Sequence, residues 1–291
     1  MRIGLLTRNR KAWCSQQLIR SFKNRGVDVA CFSFGDIVAR VGLKPSASAG
    51  DIDLLTGLDG ILVRPIGRGS LEEIIFRLNL LQKLARSGLT VINSPSSIER
   101  AADKYNTLAI LSEHGINVPR TVVTENVARA MSAFKEFGED VIVKPIFGSR
   151  GIGAARISNY DVAERVFRTL RFQRQILYIQ EYIWHGTSDI RAFVVGDNVA
   201  GAMRRVSDSW KTNISKGARA EPLSLSQEIE KLAIKTAKAI GCEIAGVDLI
   251  DEGGKVTVLE INSQPGWRGL QTVTDKSISD TIADYVISRS R

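Results

Sequence analysis

A predicted strand near the C-terminus carries two side chains with oxygen donors. Glu260 and Asn262 lie two residues apart in VLEIN, so on a β-strand they project from the same face. The preceding strand, AGVDLI, contains Asp248, and Gly253-Gly254 predicts a hairpin turn between the two strands. Counting back from that turn, with one bulged residue, places Asp248 opposite residues 259–260.

Two carboxylates and an amide that converge in this way would suit a hard cation such as Mg²⁺. The alternative is that Asp248 is a solvated residue near the turn and that Asn262 caps the strand end. We favour the metal site, because acids in strands this apolar are costly without a partner.

A glycine-rich loop is the second segment with a chemical signature. Strand-forming residues flank residues 148–153, and the loop continues into AARIS, which is typical of a strand rather than of the helix that follows a Walker loop. Small residues let main-chain N–H groups approach an anion closely, and Lys144 stands four residues before Gly148. The alternative is a surface hairpin with a solvated lysine. Because a Lys-Pro strand end directly precedes the loop, we favour phosphate binding.

Basic side chains recur in the strands that follow. SDIRAFVVG and NVAGAMRRV are predicted to form a hairpin at Gly196-Asp197, and a polar loop comes next. Charges in such apolar strands either face solvent at an edge or line an anion site together with the Lys144 loop. The residues concerned are Arg191, Arg204, Arg205, Lys211 and Asn213.

Composition limits the classes of protein that are possible. The 291 residues exceed one comfortable core, so two or three lobes are expected. No apolar run is long enough for a bilayer, no signal peptide is recognised, and three widely separated cysteines fit a reducing compartment, so we expect a cytoplasmic protein without a membrane partner. The net charge of +9 is scattered rather than clustered, which favours a small polyanionic substrate over nucleic acid. With two histidines in the chain, a histidine base is not expected.

The first third of the chain alternates short apolar runs with helical stretches, which predicts a small parallel sheet flanked by helices. The predicted strands are 3–7, 27–33, 60–65 and 90–94. The clearest helix spans 71–88, with a Ser70–Glu73 capping box at its start and Gly88 at its end. A domain boundary is predicted near residue 94, where a second capping box, Ser96–Glu99, begins another helix.

Together these segments resemble the ATP-grasp superfamily and, within it, the RimK-like glutamate ligases. The resemblance is carried by Lys144 before the glycine-rich hairpin, by QEYI, DIRAFVVG, MRR and KTN, and by the Asp248, Glu260 and Asn262 set that ends in EINSQPG. It implies an α/β and α+β fold in three parts, with ATP between the last two. These parts are an N-terminal α/β domain (1–94), a central ATP-grasp lid subdomain (95–184) and a C-terminal α+β domain with the metal site (185–291).

The resemblance also implies a nucleotide site. Lys104 and Lys144 would contact ATP phosphates or base, Glu181 would be the polar contact to adenine, and Asp189 would lie near the ribose. The nucleotide-binding residues it implies are Lys104, Lys144, Gly148, Ser149, Gly151, Gly153, Gln180, Glu181, Tyr182, Ile183, Asp189, Lys211 and Asn213. Several RimK-type ligases have arginine at the place of Lys211, and lysine keeps the charge without the planar fork.

The implied reaction is the ATP-dependent joining of a carboxylate and an amine through an acyl phosphate. Arg191 and either Arg204 or Arg205 would neutralise the transferred phosphoryl group. Asp248, Glu260 and Asn262 would hold two Mg²⁺ or Mn²⁺ ions. Such chemistry needs no protein nucleophile, which agrees with the scarcity of histidine.

The acceptor is inferred from two further segments. VRPIGRGSLEEIIFRLNLLQ and NSQPGWRGLQ resemble archaeal family members that add L-glutamate to small anionic coenzymes such as tetrahydromethanopterin or a deazaflavin coenzyme. The expected substrate residues are Arg64, Arg68, Ser263, Trp267 and Arg268. Arg64 ends a predicted parallel strand, Trp267 could stack on a ring, and Arg268 could pair with a carboxylate. Alternatively, Arg64 and Arg68 are solvated and Trp267 packs beneath a loop.

Two other functions remain open at this point. The chain could glutamylate a protein, at a ribosomal-protein C-terminus or on an acidic carrier, or it could be a non-catalytic nucleotide sensor. A homo-oligomer, either dimer or tetramer, is expected.

Overall fold

The N-terminal region forms a parallel sheet with helices packed on it. The structure, a computed structural model, describes residues 1–148, 151–212, 214 and 217–290. Its first elements are β1 (Arg2–Leu6), α1 (Trp13–Lys23), β2 (Asp28–Phe32), β3 (Ile37–Ala39), β4 (Ala47–Ala49), β5 (Ile52–Asp53), β6 (Gly60–Val63), α2 (Leu71–Arg86) and β7 (Thr90–Ile92). Strands β2, β1, β6 and β7 pair in that order, all parallel, which confirms the predicted sheet. Strands β3, β4 and β5 form a small antiparallel sheet beside it.

One of the two predicted capping boxes is present. The Ser70 hydroxyl accepts the N–H of Glu73, whose carboxylate accepts the N–H of Ser70, so α2 begins as predicted. The box predicted for Ser96–Glu99 is wrong, because the next helix begins at Pro95 and is capped by Ser94. Proline suits the first helical position, where no N–H is needed.

The middle of the chain contains a second, antiparallel sheet. Its elements are α3 (Pro95–Ala102), α4 (Lys104–Glu113), β8 (Thr121–Thr124), α5 (Val127–Glu136), β9 (Val141–Val143), β10 (Ala155–Ile157), α6 (Tyr160–Phe172) and β11 (Leu177–Glu181). The sheet order is β10-β9-β11-β8. Leu177 and Ile179 pack with Phe134 and Phe167 of α5 and α6. Since side chains alternate along a strand, Tyr178 and Gln180 project from the opposite face of this lid sheet, where both are also buried.

The third sheet has five antiparallel strands in the order β14-β13-β12-β15-β16. The remaining elements are β12 (Ser188–Val195), β13 (Asn198–Val206), β14 (Arg219–Pro222), α7 (Gln227–Ile240), β15 (Ile244–Glu252), β16 (Lys255–Asn262), α8 (Arg268–Gln271) and α9 (Ile278–Arg289). Both predicted hairpin turns are present, and Gly253 and Gly254 have φ values of 62° and 98° that favour glycine. One sheet face packs on α7 and on Leu111 of α4. Among the described residues, no helix combines the length and apolarity needed to cross a bilayer.

The first strand and the last helix share one apolar core. Ile3 and Leu5 of β1 cluster with Phe193 of β12 and with Ile282 and Val286 of α9. Consequently the N-terminal sheet and the five-stranded sheet are packed together through residues from both ends of the chain.

Asn93 links the same two sheets through hydrogen bonds. Its side-chain amide donates to the carbonyl oxygen of Ile244, at 2.7 Å, and to that of Ser263. Its Oδ1 accepts the main-chain N–H groups of Glu243 and Ile244, both at 2.8 Å. Asn93 is 2% exposed, so these groups would have no water to replace it.

We therefore expect Asn93→Ala to lower the free energy of unfolding by about 2–4 kcal/mol, since several buried groups would lose their hydrogen-bond partner. Urea unfolding monitored by circular dichroism would measure this. The control Asn126→Ala removes an exposed helix cap and should cost about 1 kcal/mol. Equal small losses in the two variants would contradict the role given to Asn93.

Candidate active site

The three predicted metal ligands lie on one face of the five-stranded sheet. Asp248 stands directly opposite Glu260, and Asn262 is two residues further along β16. Opposed residues of antiparallel strands share a face, as do residues two apart on one strand. The register shifts between Asp248 and Leu249, so the bulge predicted from the turn is confirmed.

Arg205, and not Arg204, belongs to this face. Arg205 is in register with Asp189 of β12, whereas Arg204 is in register with Ile190, whose side chain enters the apolar core on the other side of the sheet. Arg204 is exposed and stands opposite Glu221 of β14. Of the two predicted alternatives, Arg205 is therefore the one that lies on the face of Asp248 and Glu260, because consecutive strand residues project to opposite faces.

A buried row of alternating charges crosses three strands of this face. Arg191 donates from Nε and Nη2 to the carboxylate of Asp248, with 2.8 Å between Nη2 and Oδ2. Arg205 donates to both oxygens of Asp189, at 2.6 and 2.5 Å, and its Nη2 lies 3.0 Å from Asp248. Thr212 donates its hydroxyl to Asp189 at 2.5 Å. Buried charges of this kind are tolerated because each faces a partner.

This row keeps Asp248 ionised. Burial alone would raise the pKa of Asp248, but the charges of Arg191 and Arg205 outweigh burial and hold that pKa below its ordinary value. Within the described ranges, no group of three His, Cys, Asp or Glu side chains is arranged to hold a metal ion. A cation would therefore need the amide oxygen of Asn262 beside the carboxylates of Asp248 and Glu260, and this all-oxygen set fits Mg²⁺.

A chain of polar side chains lies on the face of the lid sheet that is turned away from α5 and α6. The Lys144 ammonium donates to Gln180 Oε1 at 3.0 Å, and Gln180 Nε2 donates to the hydroxyls of Thr121, at 3.0 Å, and Tyr178, at 3.2 Å. Lys144 also lies 5.2 Å from the centre of the Tyr178 ring. Tyr178 and Thr121 were missed from the sequence, although Tyr178 stands two residues before Gln180 and so shares its face.

Two lysines bring positive charge towards the metal-ligand face. Burial lowers the pKa of Lys144 to about 8, and the carboxylate of Glu260 acts in the opposite direction. Lys104, the first residue of α4, donates to the carbonyl oxygens of Ile146, at 3.2 Å, and Gly148, at 2.7 Å. Burial also lowers the pKa of Lys104, again opposed by Glu260. Glu260 thus favours the charged form of both lysines.

The glycine-rich loop is a hairpin between β9 and β10, as predicted. Gly148, Gly151 and Gly153 have φ values of 145°, 64° and 80°, and a Cβ on Gly153 would stand 3.2 Å from Pro145 Cδ. The ammonium of Lys211 donates to the carbonyl oxygen of Ala154 at 2.9 Å, which ties the loop to the segment after β13. Ser149 and Asn213, also predicted to bind the nucleotide, lie outside the described residues.

The segment after β11 differs in part from its predicted role. The Glu181 carboxylate accepts from the N–H and Nε of Arg120, at 2.8 and 2.6 Å. The guanidinium of Arg156 lies 3.6 Å from the Tyr182 ring centre, the N–H of Tyr182 donates to the carbonyl oxygen of Asp140 at 3.1 Å, and the carbonyl of Ile183 accepts from His185. The adenine contacts of Glu181, Tyr182 and Ile183 stay predictions.

The predicted substrate residues fall into two groups. Trp267 is fully buried against Trp13 and Phe193, so its predicted stacking on a substrate ring is wrong and the packing alternative holds. Arg64 is buried rather than solvated, with its guanidinium 4.9 Å from the Trp267 ring centre. Arg68 and Arg268 are exposed, while Ser263 is half-buried and its carbonyl accepts from Asn93.

Asp189 also differs from its predicted place near a ribose. Both of its carboxylate oxygens accept hydrogen bonds from Arg205, and one also accepts from Thr212. Asp189 is 5% exposed. Thr212, which the sequence analysis missed, lies between the predicted residues Lys211 and Asn213. The geometry therefore makes Asp189 the counter-ion of Arg205.

Solved structures share this fold. A RimK-domain ATP-grasp protein from Sphaerobacter thermophilus superposes with a TM-score of 0.76 at 22% identity, over 99% of this chain and 100% of that one. The ATP-grasp ligase PsnB, in complex with a minimal precursor, Mg and ADP, gives 0.77 at 20% identity, over 100% and 97%. The protein has the fold of an ATP-grasp ligase.

Sequence similarity defines the family. The RimK-like ATP-grasp domain matches residues 101–286. The tetrahydromethanopterin:alpha-L-glutamate ligase of Methanocaldococcus jannaschii is 35% identical over 99% of this chain and 98% of its own length. The enzyme of the same name from Methanosarcina acetivorans is 32% identical, over 98% of each chain. The chain belongs to the RimK-like ATP-grasp family and is an ATP-dependent carbon–nitrogen ligase.

Binding of ATP should raise the pKa of Lys144 from about 8, because a nearby phosphate stabilises the ammonium form. At pH 8.5 we expect uptake of roughly half a proton per site, measured by titration calorimetry in buffers of different ionisation enthalpy. The Lys144→Met variant should bind ATP more weakly and take up fewer protons. Unchanged uptake in that variant would assign the proton to another group.

Replacement of Asp189 by Asn should lower kcat about tenfold or more, because Arg205 would lose the charge that holds it. The ATP KM should change less, and wild-type enzyme and variant should discriminate equally between ATP and 2′-deoxy-ATP. The control Asp284→Asn removes a surface partner of Arg25 and should leave these constants unchanged. If Asp189→Asn alone no longer discriminated between ATP and 2′-deoxy-ATP, that result would support the predicted contact of Asp189 with the ribose.

Proposed function

We propose that this ligase joins the amino group of L-glutamate to a carboxylate of a small anionic acceptor such as tetrahydromethanopterin, with conversion of ATP to ADP and phosphate. Its relatives are similar to this protein over nearly the whole chain, and their names support the choice of substrates. The observation that carries the proposal is the pairing of Arg191 and Arg205 with carboxylates on the face that also bears Glu260 and Asn262. Such a face offers guanidinium groups that can neutralise charge during phosphoryl transfer.

In the first step an oxygen of the acceptor carboxylate attacks the γ-phosphorus of ATP, and the bond to the ADP oxygen breaks. Negative charge spreads over the oxygens of the transferred group. Arg191 and Arg205 are held in place by Asp248 and Asp189 before substrates arrive, so little reorganisation is needed. Lys144 supplies a cation from the lid side.

The metal ligands are proposed to be Asp248, Glu260 and Asn262, which would hold two ions. When bound, Mg²⁺ or Mn²⁺ neutralises phosphate oxygens. Because Asp248 already contacts two arginines, Glu260 and Asn262 are the side chains of this set that are best placed to accept a cation first.

In the second step the nitrogen of L-glutamate attacks the acyl carbon, and the bond to the phosphate oxygen breaks. The departing phosphate can accept the proton that the amine loses. His185 is an unsuitable base, since its ring nitrogens lie at 2.8 and 3.1 Å from the carbonyl oxygens of Ile183 and Trp210. The protein therefore acts through position and electrostatics. A cytoplasmic location and a homo-oligomeric state remain predictions.

The test is mass spectrometry of products formed from ATP, Mg²⁺, L-glutamate and a panel of acceptors. We expect glutamylated tetrahydromethanopterin and ADP, and we expect Glu260→Gln to abolish both, because the charge needed for the cation is lost. A matched control is Glu221→Gln, a carboxylate on the far side of the sheet, which should retain activity.

Two results would contradict the proposal. One is glutamylation of a ribosomal-protein tail or an acidic carrier in place of the pterin. The other is nucleotide binding without release of phosphate for any acceptor in the panel, which would indicate a sensor.

A further inference from the structure

The edge of the N-terminal sheet at which the carboxyl ends of the central strands β1 and β6 lie combines several groups that favour an anion. Strands β1 and β6 end side by side there, since the N–H of Arg64 donates to the carbonyl of Leu6 at 2.9 Å. Helix α1 begins at the same edge, and the hydroxyls of Thr7 and Ser15 lie 3.1 Å apart. Ligands of open α/β sheets bind at this carboxyl end of the strands.

Arg64 is the strongest indication of a ligand at this edge. The residue is 6% exposed, and its guanidinium donates to the carbonyl oxygen of Pro265 at 3.0 Å. In the described part of the chain, no carboxylate forms an ion pair with it. The guanidinium lies 4.9 Å from the centre of the Trp267 ring, and that ring lies 6.3 Å from the ring of Trp13, the first residue of α1, so Trp267 is in contact with both Arg64 and the first turn of the helix. Burial lowers the pKa of Arg64. A buried cation without a counter-ion is costly until an anion joins it.

The start of α1 adds unsatisfied donors to that cation. This helix of 11 residues has Ala12 at its N-cap, no side-chain cap and no acid in its first turn. No acceptor among the described residues receives the N–H groups of Trp13, Cys14 or Ser15. Free N–H groups and the helix dipole make such an end favourable for an anion. Further basic residues flank it in the two loops, namely Arg8, Arg10, Lys11 and Arg68.

This edge is adjacent to the metal-ligand strand. The N–H of Ile66 donates to Gln264 Oε1 at 3.3 Å, and Arg64 contacts Pro265, three residues after Asn262. Three residues span at most about 10 Å. A molecule whose reacting carboxylate lies at the metal ligands could therefore reach Arg64 with a second group.

We propose that Arg64 and the first turn of α1 form an anion subsite, which binds a carboxylate or phosphate of the acceptor other than the carboxylate that reacts. The inference rests on the proposed function and adds that the acceptor carries at least two anionic groups. A side-chain carboxylate of L-glutamate has the same chemistry, so the test must separate the two sources.

Cys14 allows the subsite to be tested with a matched pair of variants. Cys14→Asp places a carboxylate in the first turn of α1, where it would compete with an anionic ligand and should also stabilise the helix. Cys14→Asn has nearly the same shape and no charge. Inorganic phosphate serves as the probe, with tryptophan fluorescence as the signal, because Trp13 and Trp267 lie beside the subsite at 6.3 Å between ring centres.

We expect wild-type protein and Cys14→Asn to bind phosphate alike and Cys14→Asp to bind it at least tenfold more weakly, the size expected for loss of a charge-assisted contact. Thermal unfolding should show that Cys14→Asp remains folded. Equal binding by the two variants, or no binding by the wild type, would overturn the subsite.

Kinetics then identify the source of the anion. With tetrahydromethanopterin as acceptor, Cys14→Asp should raise the acceptor KM at least tenfold and leave the KM values of ATP and L-glutamate within about twofold. A rise confined to the KM of L-glutamate would refute the assignment to the acceptor. The two proposals can fail separately. If tetrahydromethanopterin is not glutamylated, the proposed acceptor is wrong. The subsite is still supported in that case if Cys14→Asp binds phosphate more weakly than Cys14→Asn.

Discussion

Charge pairing inside the five-stranded sheet is the constraint on which the site depends. Phosphoryl transfer needs arginines that are fixed before substrate arrives, yet a sheet interior does not tolerate isolated cations. The chain resolves this by placing Asp189 and Asp248 among Arg205 and Arg191, so that every charge faces an opposite one. The register of three strands, including the bulge after Asp248, is what makes that alternation possible.

The lid and the sheet contribute charges of opposite sign, namely lysines from the lid and the Glu260 carboxylate from the sheet. Lys104 and Lys144 come from the lid side, while Glu260 projects from the sheet and moderates the effect of burial on both lysines. A nucleotide with a cation would supply the complement of each surface, with phosphates for the lysines and metal for the carboxylate. The link from Lys211 to Ala154 makes the segment after β13 part of this enclosure.

The sequence could predict those features that follow from local periodicity. The Gly253-Gly254 turn determined the pairing of Asp248 with Glu260, and the Ser70–Glu73 box determined where α2 begins. The choice between Arg204 and Arg205 depends on which side of the sheet is covered by α7, and that information is tertiary. The pairing of Asp189 and the packing of Trp267 were misjudged for the same reason, because their partners Arg205 and Phe193 are on other strands.

The core shared by β1 and α9 has a consequence for how the protein folds. Ile3 and Leu5 pack with Ile282 and Val286, which a ribosome adds to the chain much later than β1. Domains that are synthesised early often fold while the rest of the chain is still being translated. Here part of the apolar surface of the first sheet stays uncovered until α9 has been synthesised. Emergence of α9, rather than synthesis of the first sheet alone, is then the event that completes this core.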